Sequence, residues 1–137
     1  MKNLIWILAV VSLFICGCET PRGPGDCPSR VSLTVQIKEQ PIFSWDPPCD
    51  VDGFIVYRHA VSVSGINYLD VIWASDITQD NPISPPLLYG VNPAGVDITV
   101  PAVQLIEGDK YKVKVLRYIN EMPGFDVIGE TDFIYAP

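Results

Sequence analysis

The sequence predicts an all-β fold, an antiparallel β-sandwich, and three observations carry that expectation. Apolar and polar residues alternate with a period of two in several short runs, the mark of strands with one buried face. Thirteen prolines and ten glycines are spread along 137 residues, which leaves little room for helices. No long segment keeps apolar residues at i, i+3, i+4 and i+7, and no strand-helix alternation of the kind a parallel sheet requires is present. Short strands between turn signals pack best as two antiparallel layers.

The chain opens on a segment of another kind. Lys2 supplies one positive charge, and Leu4 to Cys16 form thirteen residues without a charge, with Ser12 the one strongly polar member. A short basic start followed by an apolar middle is the layout of an export signal. It is shorter than the ~20 residues a membrane-spanning helix needs. Ile15, Cys16, Gly17 and Cys18 then resemble the lipobox of bacterial lipoproteins, although that family prefers Leu where Ile15 stands. The resemblance implies a signal peptide over residues 1–17, cleavage before Cys18, and lipid attachment to the Cys18 sulfur. Cleavage before Cys16 would set bulky Ile15 against a peptidase pocket shaped for small residues. Two or three acyl chains would hold the protein to a bilayer, since each buried methylene contributes ~0.8 kcal/mol. Glu19 rather than Asp follows Cys18, which in enteric-type bacteria implies the outer membrane of the cell envelope. An uncleaved amino-terminal anchor and an ordinary secreted protein remain as alternative readings.

Residues 18–29 read as a lipidated tether, because Thr20 to Asp26 ("TPRGPGD") is polar and rich in proline and glycine. From Cys18 onward 120 residues remain, enough for one domain, expected over residues 30–137. Without Lys2 the mature chain carries eight basic against sixteen acidic residues, a net charge of -8. That balance repels nucleic acid and anionic lipid surfaces, so membrane attachment rests on the lipid anchor. Cys27 and Cys49 are the two sulfurs left, and an even pair in an oxidising compartment reads as one disulfide. With His59 the single histidine and no C-x-x-C spacing, no metal site and no cofactor is expected.

The strands follow in order. In "RVSLTVQIK", Val31, Leu33, Val35 and Ile37 face one way and Ser32, Thr34, Gln36 and Lys38 the other. "PIFSW" sets Phe43 and Trp45 on one side, and "GFIVYR", Gly53 to Arg58, is rich in aromatic and β-branched residues. In "KYKVKVLRY", Tyr111, Val113 and Val115 alternate with Lys110, Lys112 and Lys114, and Gly108 turns the chain just before. The lysine stripe reads as a solvated sheet face that discourages pairing with other molecules.

"FSWDPPCDVDGFIVYR", Phe43 to Arg58, resembles the second and third strands of fibronectin type III domains, with Trp45 in the place of the core tryptophan. "LIEGDKYKVKV", Leu105 to Val115, looks like the leucine, glycine and tyrosine signature leading into that family's sixth strand, with Glu107 where a proline is usual. The resemblance implies a single Greek-key antiparallel β-sandwich of the fibronectin type III or immunoglobulin-like kind. Trp45, Phe54, Val56, Leu105 and Tyr111 become structural core residues, and Tyr111 is expected to bond its hydroxyl to backbone a few residues upstream. In such a sandwich Cys27, ahead of the first strand, and Cys49, between the second and third, lie at one pole, where a bridge between them is natural.

Ala60 to Val96 is longer than a simple connection. Its Ile72, Trp73, Leu87, Leu88 and Tyr89 are too apolar for a free loop. Either they are buried as extra strand, or they form a binding surface with Trp73 and Tyr89 as anchors. Asp50, Asp52 and Gly53 echo the start of a calcium loop, but an EF-hand loop begun at Asp50 would end at Val61, which offers no carboxylate. Polar turn chemistry accounts for the run. His59 reads as a solvated strand end, and without a G-x-S-x-G pattern no catalytic set forms around it. The expected function is therefore a non-catalytic module presented at the envelope. Its partners are the membrane, through the lipid, and an envelope protein or polysaccharide, with no nucleic acid and no small-molecule substrate. A structural subunit docking through residues 60–96 is the alternative.

Overall fold

A computed structural model describes residues 27–79, 81–119 and 124–137 of the chain. The expected signal peptide, the lipidation residue Cys18 and the tether as far as residue 26 lie outside the described residues.

The described chain is all β, without a helix: β1 (Ser32–Gln36), β2 (Ile42–Asp46), β3 (Gly53–Val61), β4 (Asn67–Ser75), β5 (Leu87–Leu88), β6 (Ile98–Val100), β7 (Lys110–Ile119) and β8 (Gly124–Ile134). They form two antiparallel sheets, one in the order β1-β2-β5 and the other in the order β6-β4-β3-β7-β8. The inward faces of both sheets share one core, with Leu33, Phe43, Trp45 and Leu87 from the smaller sheet and Phe54, Val56, Trp73, Tyr111, Val113, Val115 and Phe133 from the larger. Burying side chains of this size is worth about 1.5–3 kcal/mol each, and the period of two places them on one face of each strand.

Aromatic rings link the layers. Phe54 lies against Trp73 at 4.3 Å between centroids, Trp73 meets Tyr89 edge-on at 5.2 Å, and Phe133 contacts both Tyr111 (5.4 Å) and Phe43 (5.7 Å). At one side the two sheets approach closely: the Val31 amide donates to the Ile128 carbonyl at 2.8 Å. Gly129 allows this approach, since a Cβ there would stand 2.7 Å from Val31 Cγ2.

The anchoring details follow the residue chemistry expected of them. Trp45 Nε1 donates to the Cys49 carbonyl at 2.8 Å, so the buried indole is satisfied. Cys27 and Cys49 form a disulfide with an S–S distance of 2.09 Å, which ties the start of the domain to the β2–β3 loop. The Ile106 amide donates to the Tyr111 hydroxyl at 2.9 Å, the upstream backbone bond anticipated for this tyrosine.

Within Ala60 to Val96 the chain does two things. Ile72, Trp73, Leu87 and Tyr89 are buried in the core and so do not form a contact surface, while Leu88 is half-buried outside that cluster. Between β4 and β5, Ile83 is fully buried and bridges to Val51. Asn81 pins that connection, its Nδ2 donating to the carbonyls of Asp52 (2.8 Å) and Asp76 (2.9 Å). Of the two readings of this segment, the buried one holds and the binding surface anchored on Trp73 and Tyr89 does not, because Trp73 packs between Phe54 and Tyr89 and leaves solvent.

Candidate interaction surface

The exposed apolar residues of the same segment lie earlier, in the β3–β4 hairpin. The pairing of β3 with β7 ends at Arg58↔Tyr111, whereas its pairing with β4 continues to Val61↔Asn67. The last residues of β3 and the first of β4 therefore stand beyond β7 as a two-stranded arm. Its turn is well made: the Ser62 amide donates to the Ile66 carbonyl (2.8 Å), the Gly65 amide to the Ser62 carbonyl (2.8 Å), and the Ile66 amide to Ser62 Oγ (3.0 Å). Gly65 takes a φ of 79°, which ends the three-residue loop in the left-handed conformation such loops need.

On this arm Val61, Val63, Ile66, Tyr68, Leu69 and Val71 are all exposed, and Val63 at the tip projects entirely into solvent. No charged residue occurs from Ala60 to Leu69. At the base, Arg58 and Asp70 pair across the strands at 3.3 Å. Single exposed apolar residues are ordinary, but six on one hairpin are a feature of interaction sites. The signal was available in the sequence as the uncharged run "AVSVSGINYL" around turn residues, where apolar side chains at a loop tip have no core to enter.

The outer face of the larger sheet has a different character. The lysines of β7 are paired with β8 acids: Lys110 with Asp132 (2.8 Å), Lys112 with Asp132 (3.5 Å) and Lys114 with Glu130 (3.6 Å). His59 lies 3.5 Å from Asp132, and Lys114 sits over the Tyr57 ring at 5.5 Å. The hydrogen bond from Lys110 is the main cause holding the Asp132 carboxyl below its usual 3.8, against a smaller opposing effect of burial. These pairs are partly exposed, so each adds little to stability and mainly gives the face its mixed charge.

At the disulfide pole, acidic side chains are occupied locally. Ser84 bonds the Asp50 carboxylate, and Asp52 Oδ2 accepts the Tyr118 amide at 2.8 Å. Among the described residues no group of three or more His, Cys, Asp and Glu side chains is placed to hold a metal ion. An open groove lined by Glu39, Gln40, Tyr89, Gln104, Leu105 and Tyr135 lies elsewhere. Its polar groups serve the backbone: Gln40 Nε2 donates to the Tyr89 carbonyl (2.8 Å), the Tyr89 hydroxyl to the Val103 carbonyl (2.7 Å) and the Tyr135 hydroxyl to the Glu39 carbonyl (2.8 Å). Burial, with a smaller contribution from the neighbouring Tyr111, pushes the Tyr89 phenol up to about 12.

Compared with known proteins, no family model matches the sequence, no curated protein matches it, and no solved structure matches the fold.

Proposed function

We propose that the chain is a lipid-anchored protein of the bacterial cell envelope that displays one fibronectin type III-like sandwich as a non-catalytic module for binding protein. The exposed apolar β3–β4 hairpin carries the reading, because a solvated domain gains nothing by holding Val61, Val63, Ile66 and Tyr68 in water. Export is supported by the apolar leader ending at Cys18 and by the Cys27–Cys49 bridge, a bond that persists in oxidising compartments. The division of β1, β2 and β5 from β3, β7 and β8 supports the immunoglobulin-like assignment, as do the settings of Trp45 and Tyr111.

The test has two arms. Bacterial cells expressing the full chain are labelled with a radioactive fatty acid, and label in the wild-type band that disappears in Cys18→Ala is expected; equal label in both, or none in either, removes the anchor from the proposal. A photo-reactive residue at position 63 should then form a covalent protein adduct in intact envelopes. An adduct of unchanged yield in Ile66→Asp, or no adduct, removes the hairpin.

A further inference from the structure

Backbone alternation along β4 gives the hairpin a second property. In an antiparallel pair, every second residue directs its amide and carbonyl to one neighbour and the residues between direct theirs to the other side. The bond from the Ser62 amide to the Ile66 carbonyl, with the pairs Ala60↔Tyr68 and Arg58↔Asp70 in step with it, turns Tyr68 and Asp70 toward β3. Asn67, Leu69 and Val71 therefore direct their backbone groups away from β3. Beyond the bulge opposite Val56 and Tyr57 the outer side is taken, since the Ile72 carbonyl accepts the Val103 amide (3.3 Å) and Ala74 pairs with Val100 of β6. Among the described residues, no strand other than β3 pairs with β4 from Asn67 to Val71, so the side of β4 away from β3 is open there.

Free edges of this kind are normally guarded by a lysine, a proline or a covering segment. The opposite edge of the same sheet is guarded in part, as β8 is met by Val31 through Ile128. "NYLDV" has neither lysine nor proline, and its one charge, Asp70, is already paired with Arg58.

We propose that this edge is a self-association surface: two copies of the chain pair β4 to β4, antiparallel about a twofold axis at Leu69, joining their five-stranded sheets. The register follows from three constraints. Side chains must stay on matching faces, which requires odd-numbered residues of β4 to lie opposite odd-numbered ones. All the free backbone groups must find partners, and only the arrangement Leu69 opposite Leu69, with Asn67 opposite Val71 on either side, pairs all three outward residues of both copies. Like charges must not face one another, and the neighbouring register centred on Asp70 would set two carboxylates opposite. The Leu69 register instead places the Tyr68 phenol, a donor, opposite the Asp70 carboxylate, an acceptor. A twofold axis makes one surface complementary to itself, so no other sequence is required. The inference concerns the folded sandwich alone and does not depend on lipid at Cys18.

The test uses the full chain in density-matched detergent. Sedimentation velocity over a concentration series should give a reversible dimer, weakened about tenfold or more in Leu69→Lys, which sets two ammonium groups opposite one another. Both proteins should melt alike under monomeric conditions, since residue 69 is exposed. Leu69→Cys should form a covalent dimer under mild oxidation beyond any seen in wild type, because directly opposed bonded residues lie about 5.5 Å apart at Cα, within disulfide reach. Val71→Cys should not, because its own counterpart is displaced along the strand. A wild-type chain that stays monomeric throughout the series, a dimer unaffected by Leu69→Lys, or cross-linking at position 71 in preference to 69 would each overturn the proposal.

Discussion

The Tyr111 hydroxyl accepts the Ile106 amide at 2.9 Å while the tyrosine ring stacks on Phe133 inside the core, so one side chain joins the start of β7 to the chain that precedes it. Tyr111→Phe keeps the ring and removes the acceptor. Because the Ile106 amide belongs to an exposed residue and can turn to water, the expected loss is about 1 kcal/mol, the scale of one hydrogen bond. Urea unfolding measures it, and a midpoint equal to that of the wild type would mean the bond contributes nothing.

The Cys27–Cys49 bridge closes a separation of 22 residues. In the chain-entropy description, the double substitution Cys27→Ser, Cys49→Ser should lower stability by about 3 kcal/mol. Comparing that variant with reduced wild type in thermal melts separates the missing crosslink from any change in packing, and the two should agree.

Gly129→Ala probes the contact between β1 and β8. The added methyl would meet Val31 Cγ2 at 2.7 Å, Val115 Cγ2 at 3.0 Å and the Val31 carbonyl at 3.2 Å, so the two strands must part. Overpacking of this kind costs about 1–3 kcal/mol. Amide exchange should rise first at Val31, whose bond to Ile128 depends on the approach.

Asp132 sets a limit on acid stability. Its folded carboxyl titrates below 3.8, chiefly because Lys110 donates to it at 2.8 Å, with Lys112 and His59 adding to the same effect. A lowered folded value means that the contribution is present above pH 3.8 and is lost as pH falls through the lower, folded value. Asp132→Asn should therefore reduce stability slightly at neutral pH and flatten its decline below about pH 4. Added salt should shrink the difference between the two proteins, since the pairs are partly exposed. Parallel curves for the two proteins below that pH would show that Lys110 does not hold the charge.

Strand alternation made much of this molecule readable without coordinates. Leu33, Phe43, Trp45, Val56, Tyr111, Val113 and Val115 are buried where a period of two puts them, and the outward lysines of β7 are outward. The pairing of Cys27 with Cys49 was expected once the lipoprotein resemblance set Cys16 and Cys18 aside and the sandwich placed the remaining two at one pole, and the structure shows that bond. The roles within the long connection were only partly readable. Ile72, Trp73 and Tyr89 suited either a buried strand or a contact surface and pack beneath the sheets, while the uncharged run around Val63 and Ile66 was the one sign that those residues stand in solvent.

The linear chain determined the two-layer, strand-only architecture and its principal core positions, because side-chain alternation and turn chemistry are local properties. Tertiary structure alone decided which apolar residues of Ala60 to Val96 remain in water and which stretch of strand edge stays open. Both depend on how far β7 and β6 extend beside β3 and β4, and that extent is set by pairing between segments distant in the chain. The charge of Asp132 has the same origin, since Lys110 reaches it only when β7 and β8 lie in register.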